Sequence, residues 1–172
     1  GECRVGNFVA DAYRWATGAD VALQNSGGIR SGDPIRGAVT VADLVSLLPF
    51  EEPVAVAELS GERLRAALRQ AVDGSLGFAE DGWFHAHVSG AELAWDRDAG
   101  TVEVVRVDGE PLDPSATYTV ATSDYLLHTD DEFPAIGESH RVATGDVQYE
   151  VLVEYARSRG VDSSVEGRVV ER

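Results

Sequence analysis

The stretch "GNFVADAYRWATGADVALQNSGGIRSG", residues 6–32, decides the architecture. Its first half places Val9, Ala12, Tyr13 and Ala16 at i, i+3, i+4 and i+7, which puts one apolar stripe on a helix. Asn7 is a candidate N-cap and Gly18 stands where a left-handed residue would close the helix, so the spacing predicts a helix over 6–17. Immediately after it, "DVALQ" (20–24) reads as a short strand that runs straight into "NSGGIRSG". That loop offers an amide (Asn25), a hydroxyl (Ser26), two adjacent glycines (Gly27, Gly28) and a guanidinium (Arg30). Glycines that tolerate positive φ let backbone N–H groups converge into an anion nest, and an arginine fork suits phosphate or carboxylate. On pattern alone, a tight turn carrying a surface arginine fits the same residues.

Outward from this loop, "TVADLVSLL" (40–48) predicts a helix opened by a Thr40–Asp43 capping box and stopped by Pro49. "PVAVAEL" (53–59) reads as a strand. Ser60 then caps a helix "GERLRAALRQAVDG" (61–74), with Leu64, Ala67, Leu68 and Ala71 on one face. Residues 75–82 read as a loop. Strands are predicted at 83–89, 92–96 and 101–107, with Asp108-Gly109 as a hairpin signal. A further strand is predicted at 117–122, 125–133 reads as irregular, and a last helix is expected from Thr144 to Gly160, before a closing strand at 167–170. There is no repeat, low-complexity tract or linker. The pattern predicts a single α+β domain with a mixed sheet packed by helices.

The chain has 172 residues, 44% hydrophobic and 26% charged, ordinary for one globular domain. No apolar run approaches the ~18 residues of a membrane span, and no signal peptide opens the chain. All 14 basic residues are arginine, against 30 acids, and a formal charge of −16 argues against nucleic acid as a partner. Methionine is absent even at position 1, so the chain is expected to be a piece of something longer. The single cysteine, Cys3, has no internal partner.

A catalytic engine is missing from the pattern. There is no GxSxG elbow, no HExxH, and no Lys-Ser/Thr ending to make "NSGGIRSG" a phosphate-and-magnesium loop. His85 and His87, two apart on a predicted strand, would share a side as half a metal site, but no third ligand is near in sequence and no metal site is predicted. His128 with Asp130 and Asp131, and the pair Glu51-Glu52, fit solvated polar clusters as well as acid–base groups. Phe50 and Tyr125 fall on predicted loops. Either they anchor those loops or they offer two flat faces to a ring, at on the order of 1–3 kcal/mol per stacked base.

Several segments, in order, carry a resemblance: "ECRVGNFVADAYRWATGADVALQNSGGIR", "VTVADLVSLLPFEEPVAVAELSGERLRAAL", "VSGAELAWD" and "VVRVDGEPLDPSATYTVATSDYLLHTDDEF". Over about residues 2–135 the chain resembles the C-terminal domain of the 5′-nucleotidase family, which includes UDP-sugar hydrolases, 2′,3′-cyclic phosphodiesterases and ecto-5′-nucleotidases. The resemblance implies that all of 1–172 is a substrate-recognition domain. In such enzymes an N-terminal metallophosphatase domain carries two divalent metal ions and the catalytic histidine. This chain has none of those motifs, so it is expected to hold no cofactor and alone to hydrolyse nothing. The implied partners are a nucleotide or nucleoside-like ligand and the N-terminal domain of the same polypeptide, and the implied location is extracellular, cell wall or periplasm.

The resemblance carries over to particular residues. Asn25 and Arg30, with Gly27 and Gly28 between them, match the family's Asn-Gly-Gly-Gly-Ile-Arg loop, which contacts nucleoside and phosphate. Phe50 matches the Phe of a Pro-Phe turn, one side of a base sandwich, and Tyr125 falls where the second stacking aromatic is usually Phe. Asp131 matches the Asp of a Gly-Gly-Asp-Gly-Phe loop near the ribose. Ser26 replaces a glycine, "PFEEP" replaces Pro-Phe-Gly-Asn, "TDDEF" replaces the glycine-rich ribose loop, and Gly1 stands near where a further phosphate-binding arginine is expected. These acidic departures keep open a second expectation, a non-catalytic ligand-binding or protein-contact module with a diverged pocket. Phe50 and Tyr125 are expected to face each other across an open cleft lined by Asn25, Arg30 and Asp131.

Overall fold

Strand β1 (Val21–Asn25) lies inside the molecule with every residue buried. Helix α1 (Arg4–Thr17) precedes it, and the computed structural model describes residues 1–32, 34–77 and 82–172, with only the backbone of Val105. From there the chain runs through α2 (Val41–Leu47), β2 (Pro53–Ser60), α3 (Gly61–Arg69), β3 (Ala86–Ser89), β4 (Ala91–Asp96) and β5 (Thr101–Val107). It continues through β6 (Glu110–Pro111), β7 (Thr117–Ser123), α4 (Asp124–His128), β8 (Arg141–Val147), α5 (Gln148–Arg159) and β9 (Val169–Glu171).

Two sheets form where one was expected. The larger has the order β3-β1-β7-β2-β8, with β1 and β7 parallel and the other neighbours antiparallel. The smaller has the order β6-β5-β4-β9. Strand alternation builds a core on each face of the large sheet. Val21, Leu23, Ala55, Ala57 and Val120 point into a cluster with α3 and the small sheet, where Leu64, Leu68, Trp95 and Val102 pack. Ala22, Val54 and Ala121 point the other way, against Phe8, Val9 and Tyr13 of α1, Leu44 and Leu48 around α2, and Val151 and Leu152 of α5. Burial on both faces explains why β1 reads as an unbroken apolar run before its two amides.

Local chemistry sets most boundaries as expected. The Thr40–Asp43 capping box forms, Ser60 caps α3, Gly18 closes α1 in the left-handed region, and Asp108-Gly109 makes the hairpin turn with φ of 51° and 81°. Other boundaries move. Cys3, not Asn7, caps α1, because Asn7 is buried and its amide donates to Glu2 Oε1 (2.7 Å) and the Ser164 carbonyl (2.8 Å). The third helix ends at Arg69 with a 3-10 turn over Gln70–Val72, and β3 starts only at Ala86. Residues 124–128 form α4 rather than irregular chain. Of the loop expected at 75–82, positions 78–81 lie outside the described residues.

The largest departure is at 141–147. A helix from Thr144 was expected, but these residues form β8, which pairs with β2 through two register shifts, and α5 begins at Gln148. Thr144 therefore caps nothing, and its hydroxyl accepts from Arg141 Nη1 at 3.0 Å. The hydrogen-bonding edge of β2 outweighs a local capping signal in a segment with no apolar stripe of its own.

The last residues strap back across the start of the chain. Glu2 Oε1 accepts from the Glu166 amide at 2.7 Å, and Arg168 grips both oxygens of Asp11 at 2.8 Å. Arg168 also donates to the Val88 carbonyl at 2.9 Å, and β9 joins β4 in parallel.

Candidate functional site

Four of the residues singled out for binding, Asn25, Gly27, Gly28 and Arg30, lie at or just after the C-terminal end of β1. After Asn25 the chain leaves the sheet in a 3-10 turn over Ser26–Gly28, anchored by Ser26 N–H donating to the His85 carbonyl at 2.7 Å. Neither Gly27 nor Gly28 adopts a positive φ, so the expected left-handed anion nest does not form. Glycine is required at 28 for space instead: a Cβ there would lie 2.2 Å from Gln24 Nε2 and 2.6 Å from Asn25 Oδ1. Gly27 is exposed.

Arg30 is fastened by its backbone, which donates to the Leu47 carbonyl at 2.9 Å. Its guanidinium lies over the Phe50 ring, 4.8 Å from the centroid, a cation–π arrangement that holds the fork beside a flat face. Phe50 is half-buried just beyond the end of α2. Two residues on, the Glu52 carboxyl is pushed upward in pKa by burial and by the Asp124 charge.

Asn25 is buried, and both ends of its amide are bonded inside the protein. Nδ2 donates to both Glu132 oxygens, at 3.0 and 2.8 Å, and Oδ1 accepts from Gln24 Nε2 at 2.8 Å. Glu132 is itself buried, next to the fully buried Phe133 that anchors the 129–133 loop. Tyr125, half-buried on α4, leans on the core cluster beside β7. Its hydroxyl is raised in pKa by burial first and then by the Glu132 charge, which places the two side chains together. Asp131 is exposed on the same loop, its amide donating to Thr129 Oγ1 at 3.1 Å.

Three loops therefore converge. The 25–30 loop touches Phe50 through Arg30 and the 129–133 loop through Asn25, and Tyr125 joins them at Glu132. Ion pairing holds α4 in position: Arg141 donates to Asp124 and bidentately to Glu138. Glu132 is the residue that sequence reasoning missed. The only signal was an acid in "TDDEF" where the resembling family has glycine, and a chain read in one dimension does not show which acid turns inward.

The histidines serve other ends. His87 is buried against Gly6 of α1, where a Cβ would sit 2.1 Å from Nδ1, and its Nε2 lies 3.3 Å from Ser26 Oγ. Burial pushes its pKa down to about 4, and His85 is likewise lowered by burial. His128 sits between Asp124 (3.3 Å) and Glu138 (3.6 Å). Among the described residues no group of three or more His, Cys, Asp or Glu side chains has the arrangement to hold a metal ion.

Residues 1–138 match the family model described as "5′-nucleotidase, C-terminal domain". An apyrase of Tabanus yao is 32% identical over 193 residues, covering 98% of this chain and 34% of the apyrase. Endonuclease YhcR of Bacillus subtilis is 31% identical over 174 residues, covering 98% of this chain and 14% of its own length. Among solved structures, a 5′-nucleotidase precursor of Thermus thermophilus superimposes with a TM-score of 0.82 at 32% identity, over 99% of this chain and 35% of its own. The chain thus spans about a third or less of each of these proteins.

Proposed function

This chain belongs to the 5′-nucleotidase C-terminal domain family, and on that premise we propose that it is the substrate-recognition domain of a secreted nucleotide phosphohydrolase. It binds a nucleotide with the ring against Phe50 and Tyr125 and the phosphate toward Arg30. The observation that carries this reading is the convergence of three loops on the end of β1, with Arg30 held at 4.8 Å over Phe50. A guanidinium fixed in this way loses little entropy on meeting a phosphate, and on this reading the base lies against the part of the Phe50 ring that Arg30 does not cover.

Hydrolysis is assigned to a metallophosphatase domain elsewhere in the full-length protein, where two divalent metals would activate water and stabilise the leaving oxygen. This chain's own share is to bind and orient. The fork of Arg30 neutralises phosphate charge, the aromatic faces supply ring affinity with little choice of base, and Glu132 and Asp131 border the sugar or base end.

Calorimetric titration of the purified chain with AMP, adenosine, UMP and a UDP-sugar tests the reading. Binding of at least one phosphorylated ligand is expected, and Arg30→Ala should weaken AMP by roughly 1.5–3 kcal/mol while leaving adenosine nearly unchanged. Equal weakening of both would make Arg30 structural. No binding by any of the four would turn the reading to a protein-contact module.

A further inference from the structure

Glu132 is a buried acid with no cationic partner among the described residues, held by the neutral amide of Asn25 with the Tyr125 hydroxyl beside it. Both Asn25 Nδ2 contacts go to it, and Asn25 Oδ1 is already taken by Gln24. Both ends of the Asn25 amide are thus bonded inside the protein, one to Glu132 and the other to Gln24. What remains at this corner is a carboxylate, an acceptor-only group whose two oxygens keep spare lone pairs. It is wedged from behind: Gly77, at φ +50°, packs against the loop so closely that a Cβ would lie 2.8 Å from Glu132 Cγ. A fixed, unneutralised carboxylate stabilises whatever brings hydrogen-bond donors to it and opposes acceptors and anions.

We propose that Glu132 is the specificity-determining residue where the three loops meet, with Asn25 positioning it. Resting on the nucleotide-recognition reading above, Glu132 selects ligands that present donors at this corner, either the amino group of a base or the hydroxyls of a sugar. It discriminates against ligands presenting only acceptors there. Base and sugar are two sources of one chemistry, and a ligand series at fixed phosphate separates them.

The purified chain and its Glu132→Gln variant are titrated with AMP, IMP, 2′,3′-dideoxy-AMP and adenosine. The unmodified chain should favour AMP by roughly tenfold over IMP if the base supplies the donor, or over dideoxy-AMP if the sugar does. Glu132→Gln should bring that ratio to within about twofold while the AMP-to-adenosine ratio, set by Arg30, stays where it was. Glu132→Gly, which deletes the group without adding a donor, must erase the same preference, and it serves if the glutamine variant fails to fold. A preference that survives both changes, or an equal loss for every ligand, overturns the proposal and leaves the recognition reading standing. Failure of all four ligands to bind the unmodified chain overturns both.

Discussion

Asn25→Ala is the sharpest stability test, because it strands a charge. Asn25 is 3% exposed and Glu132 is 9% exposed, so water replaces only part of what either loses when the other is removed. Hydrogen bonds to a charged group contribute about 1.5–3 kcal/mol, and leaving a buried charge without its partner costs about 3–5 kcal/mol. One amide nitrogen serves both oxygens here, so about 3 kcal/mol is the expected loss for Asn25→Ala. For a chain of this length that is a fall in Tm of roughly 6–12 °C. Glu132→Ala removes the charge and strands only a neutral donor, so its loss should be smaller, about 1–3 kcal/mol. In the double variant neither member of the pair is left without the other, and the pair should show a coupling of about 1–2 kcal/mol in a cycle measured by urea unfolding. Additive single losses within about 0.5 kcal/mol would refute the reasoning, because they would mean the two side chains do not depend on each other.

Arg168→Ala should cost about 2–3 kcal/mol, since it leaves Asp11 half-buried without its bidentate partner. Limited proteolysis should then cut within 160–167 faster than in the unmodified chain, and equal rates would count against the strap. His87 gives a pH signature. Its folded pKa of about 4 lies below its ordinary 6.5, so the unfolded chain binds the extra proton, and this contribution is full above pH 6.5 and lost as pH falls toward 4. The loss is on the order of 3 kcal/mol, read as the difference between the unmodified chain and His87→Gln across that window, and a flat difference would sink it.

Much of this arrangement is legible in one dimension, for reasons that differ by segment. Helix α1 and strand β1 carry their periodicity and stops within their own residues, as do the Thr40–Asp43 box and the Asp108-Gly109 turn. The 141–147 segment does not, because what makes it a strand is the open edge of β2, more than eighty residues earlier in the chain. The site divides similarly. Arg30, Phe50, Tyr125 and Asp131 were visible as residue types on loops. The glycine requirement at 28 comes from the packing of Gln24 and Asn25, and the inward turn of Glu132 comes from Phe133 and Gly77 on either side of it. Neither is encoded in a local pattern.

The strap over α1 also has a kinetic meaning. Its contacts join residues 157 and 164 positions apart, so nearly the whole chain must be closed into a loop before they form. Closing so long a loop is entropically costly, and contacts of this separation form after most of the surface is already buried. Interactions that are absent from the transition state leave the folding rate alone and act on the way out. Weakening the Arg168–Asp11 clasp should therefore shorten the lifetime of the folded chain without slowing its formation. Its contribution is to how long the folded chain stays closed once made.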